Sequence, residues 1–379
     1  MRKKVIVAGH ICIDITPEMP GHSVKEAGDF LVPGKLVSVG NADIHTGGVV
    51  ANTGLAMKFL GADVSLLGKI GDDSFGSMIE SITGEHGASE GLIKKTGEST
   101  SYSIVLAIPG VDRIFLHNPG ANDTFSSDDI PGDALKDTAL FHFGYPPIMK
   151  RMYENDGEEL VRIMKMAKEA GTATSLDLAA VDPGSGSGKA DWEKILLRVL
   201  PYTDIFVPSI EELGYMLDRN MYKRVREKAG NKDFTEALSL KDDILPLAEK
   251  CLSAGAGIVL LKCGAPGMYY CTAGEERLKE ISLRIGIDIK EWADKKGFEK
   301  SFRPDRILSG TGAGDTSVAA FLTAMLNGHR IEKCVEYAAA TGACCVTAYD
   351  ALGGLKTFEE LDKMIDSGWE KTKEELYAG

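Results

Sequence analysis

Residues 5–8 form a four-residue apolar run stopped by Gly9, the pattern of a buried strand. Residues 31–46 alternate weakly (Leu31, Leu36, Val37, Val39, Ile44) and are broken at Pro33-Gly34 and Gly40-Asn41, which predicts short exposed strands. Leu55, Ala56, Phe59 and Leu60 recur at helical spacing across residues 51–60, and 64–67 returns to strand. Residues 103–108 and 113–116 flank Pro-Gly-Val-Asp at 109–112, a hairpin signal. Beyond about residue 138 the rhythm becomes regular. Strands are expected at 140–143, 174–178, 205–207, 258–262 and 268–271, and helices at 157–170, 192–200, 210–217, 245–254, 314–326 and 331–346. This alternation predicts a parallel sheet covered on both faces. The strand segments near 15–46 and 100–117 stand outside that layer and predict a small separate sheet made from two insertions. Segments 218–243 and 284–304 are charged and weakly patterned, so they read as surface insertions.

The length, 379 residues, suits two domains or one large α/β domain with an accessory piece. With 44% hydrophobic and 26% charged residues the composition is that of a globular chain, not a disordered one. Forty-three basic against 56 acidic residues give a net charge of −13, which disfavours nucleic acid and anionic membranes as main partners but leaves room for a local anion pocket. The seven cysteines, an odd number with no C-x-x-C pair, fit free thiols in a reducing compartment better than a disulfide framework or a zinc site. The first apolar run is too short for a signal peptide, and no run is long enough to span a bilayer. The chain reads as soluble and cytoplasmic.

Three motifs carry candidate chemistry. Ser309-Gly-Thr-Gly-Ala-Gly-Asp315 runs straight into an apolar helix, so Gly312, Ala313 and Gly314 place backbone N–H groups at a helix N-terminus, an anion site. Asp315 then stands either as a base beside that site or as a simple helix cap. Thr46-Gly-Gly-Val-Val-Ala-Asn-Thr-Gly54 is either a tight strand-to-helix turn or a place where Gly47 and Gly48 admit a polar ligand that Asn52 binds. Asp14 lies just past the first strand, where ligands bind in parallel α/β sheets and where turn-forming Asp is also common. Gly184–Lys189 imitates a P-loop, but Pro183 and Ala190 break the pattern, and it reads as a flexible loop. No G-x-G-x-x-G follows the first strand, and His142, in an apolar strand, reads as a core histidine.

Taken together, these features resemble the ribokinase-like (PfkB) family of carbohydrate kinases. The resemblance rests on Gly47-Gly48 through Gly71-Asp-Asp-Ser-Phe-Gly76 and on Gly310-Thr-Gly-Ala-Gly-Asp315, in the family's order and spacing over nearly the whole chain. It implies a three-layer α/β/α core (residues 1–14, 47–99 and 119–379) with a β-sheet lid (15–46 and 100–118). It further implies transfer of the γ-phosphate of ATP, with Mg²⁺, to a hydroxymethyl group. Asp315 would be the base and Gly312, Ala313 and Gly314 the anion hole. Asp14, Gly47, Gly48 and Asn52 match the sugar side, with Asn118 contributing from the lid. On the nucleotide side the resemblance points to Ser209 and Glu212 (Glu212 acting through Mg²⁺), to Lys262, Gly264 and Gly267, to Thr311, and to Ala339 at the adenine.

Several positions depart from the family pattern. Ser209 replaces Asn, and Lys262 replaces Thr and adds a phosphate-directed charge. Ser309 replaces an Asp tied to potassium activation, so that activation is expected to be weak or absent. Cys12 and Gly144 do not favour ribose, and Tyr145 is either a ring-stacking or a structural aromatic. The expected partners are a small-molecule sugar and ATP, with no nucleic acid and no membrane. A homodimer through the exposed lid sheet is the assembly the sequence suggests. The competing readings are a nucleoside kinase of the same family and a catalytically silent sugar or nucleotide sensor. A dehydrogenase is weakened by the missing dinucleotide fingerprint.

Overall fold

The computed structural model describes residues 3–19, 21, 27–109, 114–373 and 376. The first strand, β1 (Lys4–Gly9), is central. It pairs in parallel with β4 (Asp63–Gly71) on one side and β8 (Leu140–Gly144) on the other. Beyond β4 lies β5 (Ile93–Lys95); beyond β8 follow β9 (Ala173–Asp177), β10 (Ile205–Phe206) and β11 (Ile258–Lys262), all parallel. Residues of β1 alternate between two cores: Val5 and Val7 face the layer that includes the Gly48–Phe59, Ala313–Leu326 and Ile331–Cys345 helices, while Ile6 and Ala8 face the other layer. The result is the expected sheet with helices on both faces.

The sheet is not purely parallel. β12 (Gly267–Thr272) returns antiparallel on β11, and β13 (Lys296–Lys300) runs antiparallel on β12. Only residues 263–266 separate β11 from β12, too few for a crossover, so a hairpin forms. The two segments read as surface insertions are built into the core. A helix, Arg219–Ala229, buries Met221, Val225 and Ala229, a stripe at a spacing of four hidden among charges. Residues 284–304 supply β13 and the buried Trp292 and Phe302.

A second sheet of four strands has the order β3 (Ala42–Gly47), β2 (Cys12–Pro17), β6 (Tyr102–Leu106), β7 (Ile114–Asn118). Residues 31–41 contribute no strand to it. β6 and β7 pair antiparallel from Tyr102↔Asn118 to Leu106↔Ile114, and the expected turn at 110–113 falls outside the described residues.

From β1 the chain moves outward through β4 to β5, then returns to β8 on β1's opposite flank. The order therefore reverses between β1 and β8, and the carboxyl ends of those strands form the crevice where open α/β sheets bind ligands.

Candidate active site

The crevice is opened by glycine. Gly9 (φ +119°) ends β1 so close to β8 that a methyl group on it would stand 2.4 Å from the Gly144 carbonyl oxygen. The chain then passes through buried His10 into β2, which carries Asp14. On the neighbouring strand β3, a methyl on Gly47 would stand 2.2 Å from Asp14 Oδ2, so only glycine admits the carboxylate there. Gly48 (φ +82°) turns the chain into the Gly48–Phe59 helix, whose second turn presents Asn52.

Opposite stands the Ala313–Leu326 helix. Its N-cap is Gly312 in the left-handed region (φ +76°) and no side chain caps it; the Ala313 N–H reaches back to the Gly310 carbonyl at 3.4 Å, and the first turn carries the positive end of the helix dipole. Asp315 lies in that first turn, 4% exposed. Asn52 Nδ2 donates to its Oδ2 at 2.9 Å, and the Tyr145 hydroxyl donates to its Oδ1 at 2.6 Å. Burial pushes the Asp315 carboxyl up, against the opposite pull of Tyr145, Lys262 and Asn52. Burial also raises the Tyr145 phenol well above its ordinary range, and the Asp315 charge adds to this, so Tyr145 stays a donor. Asp14 is likewise raised, chiefly by burial.

A cavity of about 850 Å³ is lined by Asp14, Thr46 and Asn52 and by Ser309, Gly310 and Thr311; Gly47, Gly48, Gly312, Ala313, Gly314 and Asp315 are not among its lining residues, and Asp315 meets it through Asn52. Asn118 is not among its lining residues. At the end of β7 its amide donates to Ser99 Oγ at 3.5 Å and its Oδ1 accepts from the Gly120 N–H at 3.4 Å.

The nucleotide-side residues are more dispersed. Ser209 and Glu212 form a reciprocal capping box at the start of the Ile210–Leu217 helix: the Ser209 N–H donates to Glu212 Oε2 at 2.9 Å and the Glu212 N–H to Ser209 Oγ at 3.2 Å. The S-x-x-E spacing announces this local role too. Gly264 (φ +65°) and Gly267 (φ +138°) shape the β11–β12 turn; a methyl on Gly267 would stand 2.1 Å from the Glu299 carbonyl oxygen. Ala339 is 1% exposed, within the core of the Ile331–Cys345 helix. Lys262, ending β11, donates to both oxygens of Asp177 at 2.8 and 2.7 Å.

Two residues at the centre of the site carried no motif. Asp177 ends β9, fully buried. Tyr145 follows β8 in a left-handed conformation (φ 69°) uncommon for an aromatic residue. Only their position just past buried strands signals them. His142 is a core residue: burial lowers its pKa to about 3, Nδ1 lies 2.9 Å from Ser175 Oγ, and Nε2 has no partner among the described residues. Gly184–Lys189 is an ordered turn with a short 3₁₀ segment in which Ser187 is buried, not an open phosphate cradle.

Residues 2–357 match the model of the pfkB family carbohydrate kinases. The probable fructokinase-4 of Arabidopsis thaliana is 26% identical over 374 residues, covering 96% of this chain and 97% of that protein. Among solved structures, Arabidopsis thaliana ribokinase complexed with ribose and ATP superposes with a TM-score of 0.69 at 20% identity, covering 96% of this chain and 99% of that one. A putative ribokinase II from E. coli in complex with ATP and Mg²⁺ gives 0.66 at 20% identity, covering 96% and 99%. The chain belongs to the pfkB family: it is a carbohydrate kinase, a phosphotransferase with an alcohol acceptor, on the ribokinase-like α/β fold.

Proposed function

We propose that this chain transfers the γ-phosphate of ATP to a hydroxymethyl group of a monosaccharide or sugar derivative. The observation that carries the reading is the pairing of a helix N-terminus that no side chain caps with a buried carboxylate, Asp315, bonded to Asn52, which lines the cavity. Asp14 and Asn52 hold acceptor hydroxyls, with Gly47 and Gly48 admitting them. Asp315 accepts the proton of the attacking hydroxyl. Tyr145 and Asn52 keep that carboxylate ionised and aimed, since hydrogen bonds to the charged form favour it.

Bound ATP supplies the phosphoryl group: the acceptor oxygen–phosphorus bond forms as the bond to the β,γ-bridging oxygen breaks, and ADP leaves. The amides of Gly312, Ala313 and Gly314 stabilise the charge on the transferring oxygens. Thr311, Gly264 and Gly267 border the nucleotide, with Ala339 behind the adenine. Among the described residues no cluster of three His, Cys, Asp or Glu side chains is arranged to hold a metal, so Mg²⁺ would be held through the nucleotide's phosphates, with Glu212 acting on it indirectly.

The cavity favours one further reading. Its outer part is apolar, with Val105 and Ile108 on the lid side and Ile307, Leu308 and Tyr349 opposite. At about 850 Å³ it falls in the size class that accepts drug-sized ligands. An acceptor bearing a base or another apolar group, as a nucleoside does, fits that sector. The test is ADP release from ATP–Mg²⁺ against neutral sugars, sugar acids and nucleosides. Repeating it with Na⁺ replaced by K⁺ tests the Ser309 departure: kcat/KM is expected to change by less than tenfold.

A further inference from the structure

The Asp177–Lys262 pair is costly to build. Each buried ion loses several kcal/mol of hydration, and apolar residues would close the sheet end at less cost. Asp177 has no exposed side-chain surface and Lys262 13%, and the pair sits at the carboxyl ends of β9 and β11. Lys262 also crosses to the catalytic helix. A methyl on Gly314 would stand 3.5 Å from Lys262 Cδ and 3.6 Å from Nζ, so the ammonium lies against the first turn of the Ala313–Leu326 helix. A cation at a helix N-terminus faces the positive end of the dipole, an unfavourable meeting that Asp177 and Asp315 offset here. The ammonium has three donors, and each Asp177 oxygen takes one. The third is available to a ligand in front of the anion hole.

We propose that Lys262 is a phosphate-binding residue of the transfer step and that Asp177 is the positioning residue that holds its ammonium against the Gly312–Asp315 turn. This rests on the kinase reading above. Asp177 fixes the amine where it can follow the transferring phosphoryl oxygens together with the backbone amides, while Asp315 handles the proton. The charged and titratable groups facing Lys262 are Asp177 from β9, Glu212 from the Ile210–Leu217 helix, Asp315 from the catalytic helix and neutral His142 from β8. Burial alone would lower the lysine, but the three carboxylates hold it above its usual range.

The test compares calorimetric binding of ADP and of a non-hydrolysable imido analogue of ATP, with Mg²⁺, in wild type, Lys262→Met, Lys262→Arg and Asp177→Asn. Lys262→Met is expected to lose tenfold or more in affinity for the analogue, less than twofold for ADP, and roughly 10²-fold in kcat, as for loss of one anion-hole donor. Lys262→Arg recovers part of both losses. Asp177→Asn removes the nearest of the charges that hold the ammonium protonated, so the alkaline limb of the kcat profile moves to lower pH. If Lys262→Met leaves Asp177 uncompensated and fails to fold, Lys262→Met combined with Asp177→Asn carries the same binding comparison. Equal losses for analogue and ADP, or an unmoved alkaline limb in Asp177→Asn, overturn the proposal while the kinase reading stands. A wild type that binds neither nucleotide and phosphorylates no acceptor overturns both.

Discussion

Tyr145 and Asp315, 170 positions apart in sequence, are joined by a 2.6 Å hydrogen bond from the phenol hydroxyl to Oδ1 of the carboxylate. Tyr145 follows β8 and Asp315 lies in the first turn of the Ala313–Leu326 helix, so the bond ties the end of that strand to that helix N-terminus. It favours the ionised form of the proposed base, against the burial that raises it.

That gives a pH prediction. Burial already raises Asp315, so the base is lost as pH falls through a value above the ordinary carboxylate range, and kcat has its acid limb there. Tyr145→Phe removes a donor that favours the ionised form, which raises Asp315 further. The acid limb of kcat therefore moves to higher pH in the variant. A limb that stays in place, or moves down, detaches Tyr145 from the base.

Gly312 needs its lack of a side chain twice. Its φ of +76° is strained for other residues, and a methyl would stand 2.4 Å from Ala351 Cβ. Gly312→Ala is expected to displace the first-turn amides and lower kcat by roughly 10²-fold, the cost of losing an anion-hole donor. Steady-state kinetics beside a thermal melt check this: near-native kcat in a folded variant removes the turn from the anion hole.

A stability prediction concerns the far side of the sheet. Asp204, with no exposed side-chain surface, pairs with Lys168 and with Arg277 at 2.8 Å and accepts the Thr174 N–H at 3.0 Å. Asp204→Ala leaves two cations facing a buried gap and should cost about 3–5 kcal/mol, the usual loss when one member of a buried pair is removed. Urea unfolding measures it; a loss below about 1 kcal/mol shows that the pair is solvated in solution.

Much of this was legible in the sequence where chemistry is local. The G-T-G-A-G-D run announced the helix N-terminus and Asp315, and the β/α rhythm announced the layers. Asp177 is not legible as a site residue, and Tyr145 reads as a ring-stacking or structural aromatic but not as a partner of Asp315, because strand register and the reversal between β1 and β8, not neighbouring residues, bring them there. The stripe of Met221, Val225 and Ala229 was masked by the charges between its members. β12 reads as one more parallel strand because an apolar strand looks alike in either direction, and only the short connection at 263–266 signals the hairpin; β13, Lys296–Lys300, lies in a charged segment with little apolar pattern to mark it. Asn118, matched to the sugar side, bonds Ser99 and Gly120 and is not among the residues lining the cavity.

Asp315 is proposed as the base of an ATP-dependent phosphoryl transfer to a sugar-type alcohol. The direct measurement is ADP release from ATP–Mg²⁺ over the acceptor panel, for wild type and Asp315→Asn, with nucleotide binding followed in parallel. At least one acceptor is expected to accelerate ADP release strongly in wild type. Asp315→Asn is expected to lower that turnover by roughly 10²–10⁴-fold while nucleotide binding persists. Turnover in Asp315→Asn close to wild type, on the same acceptor, would contradict it.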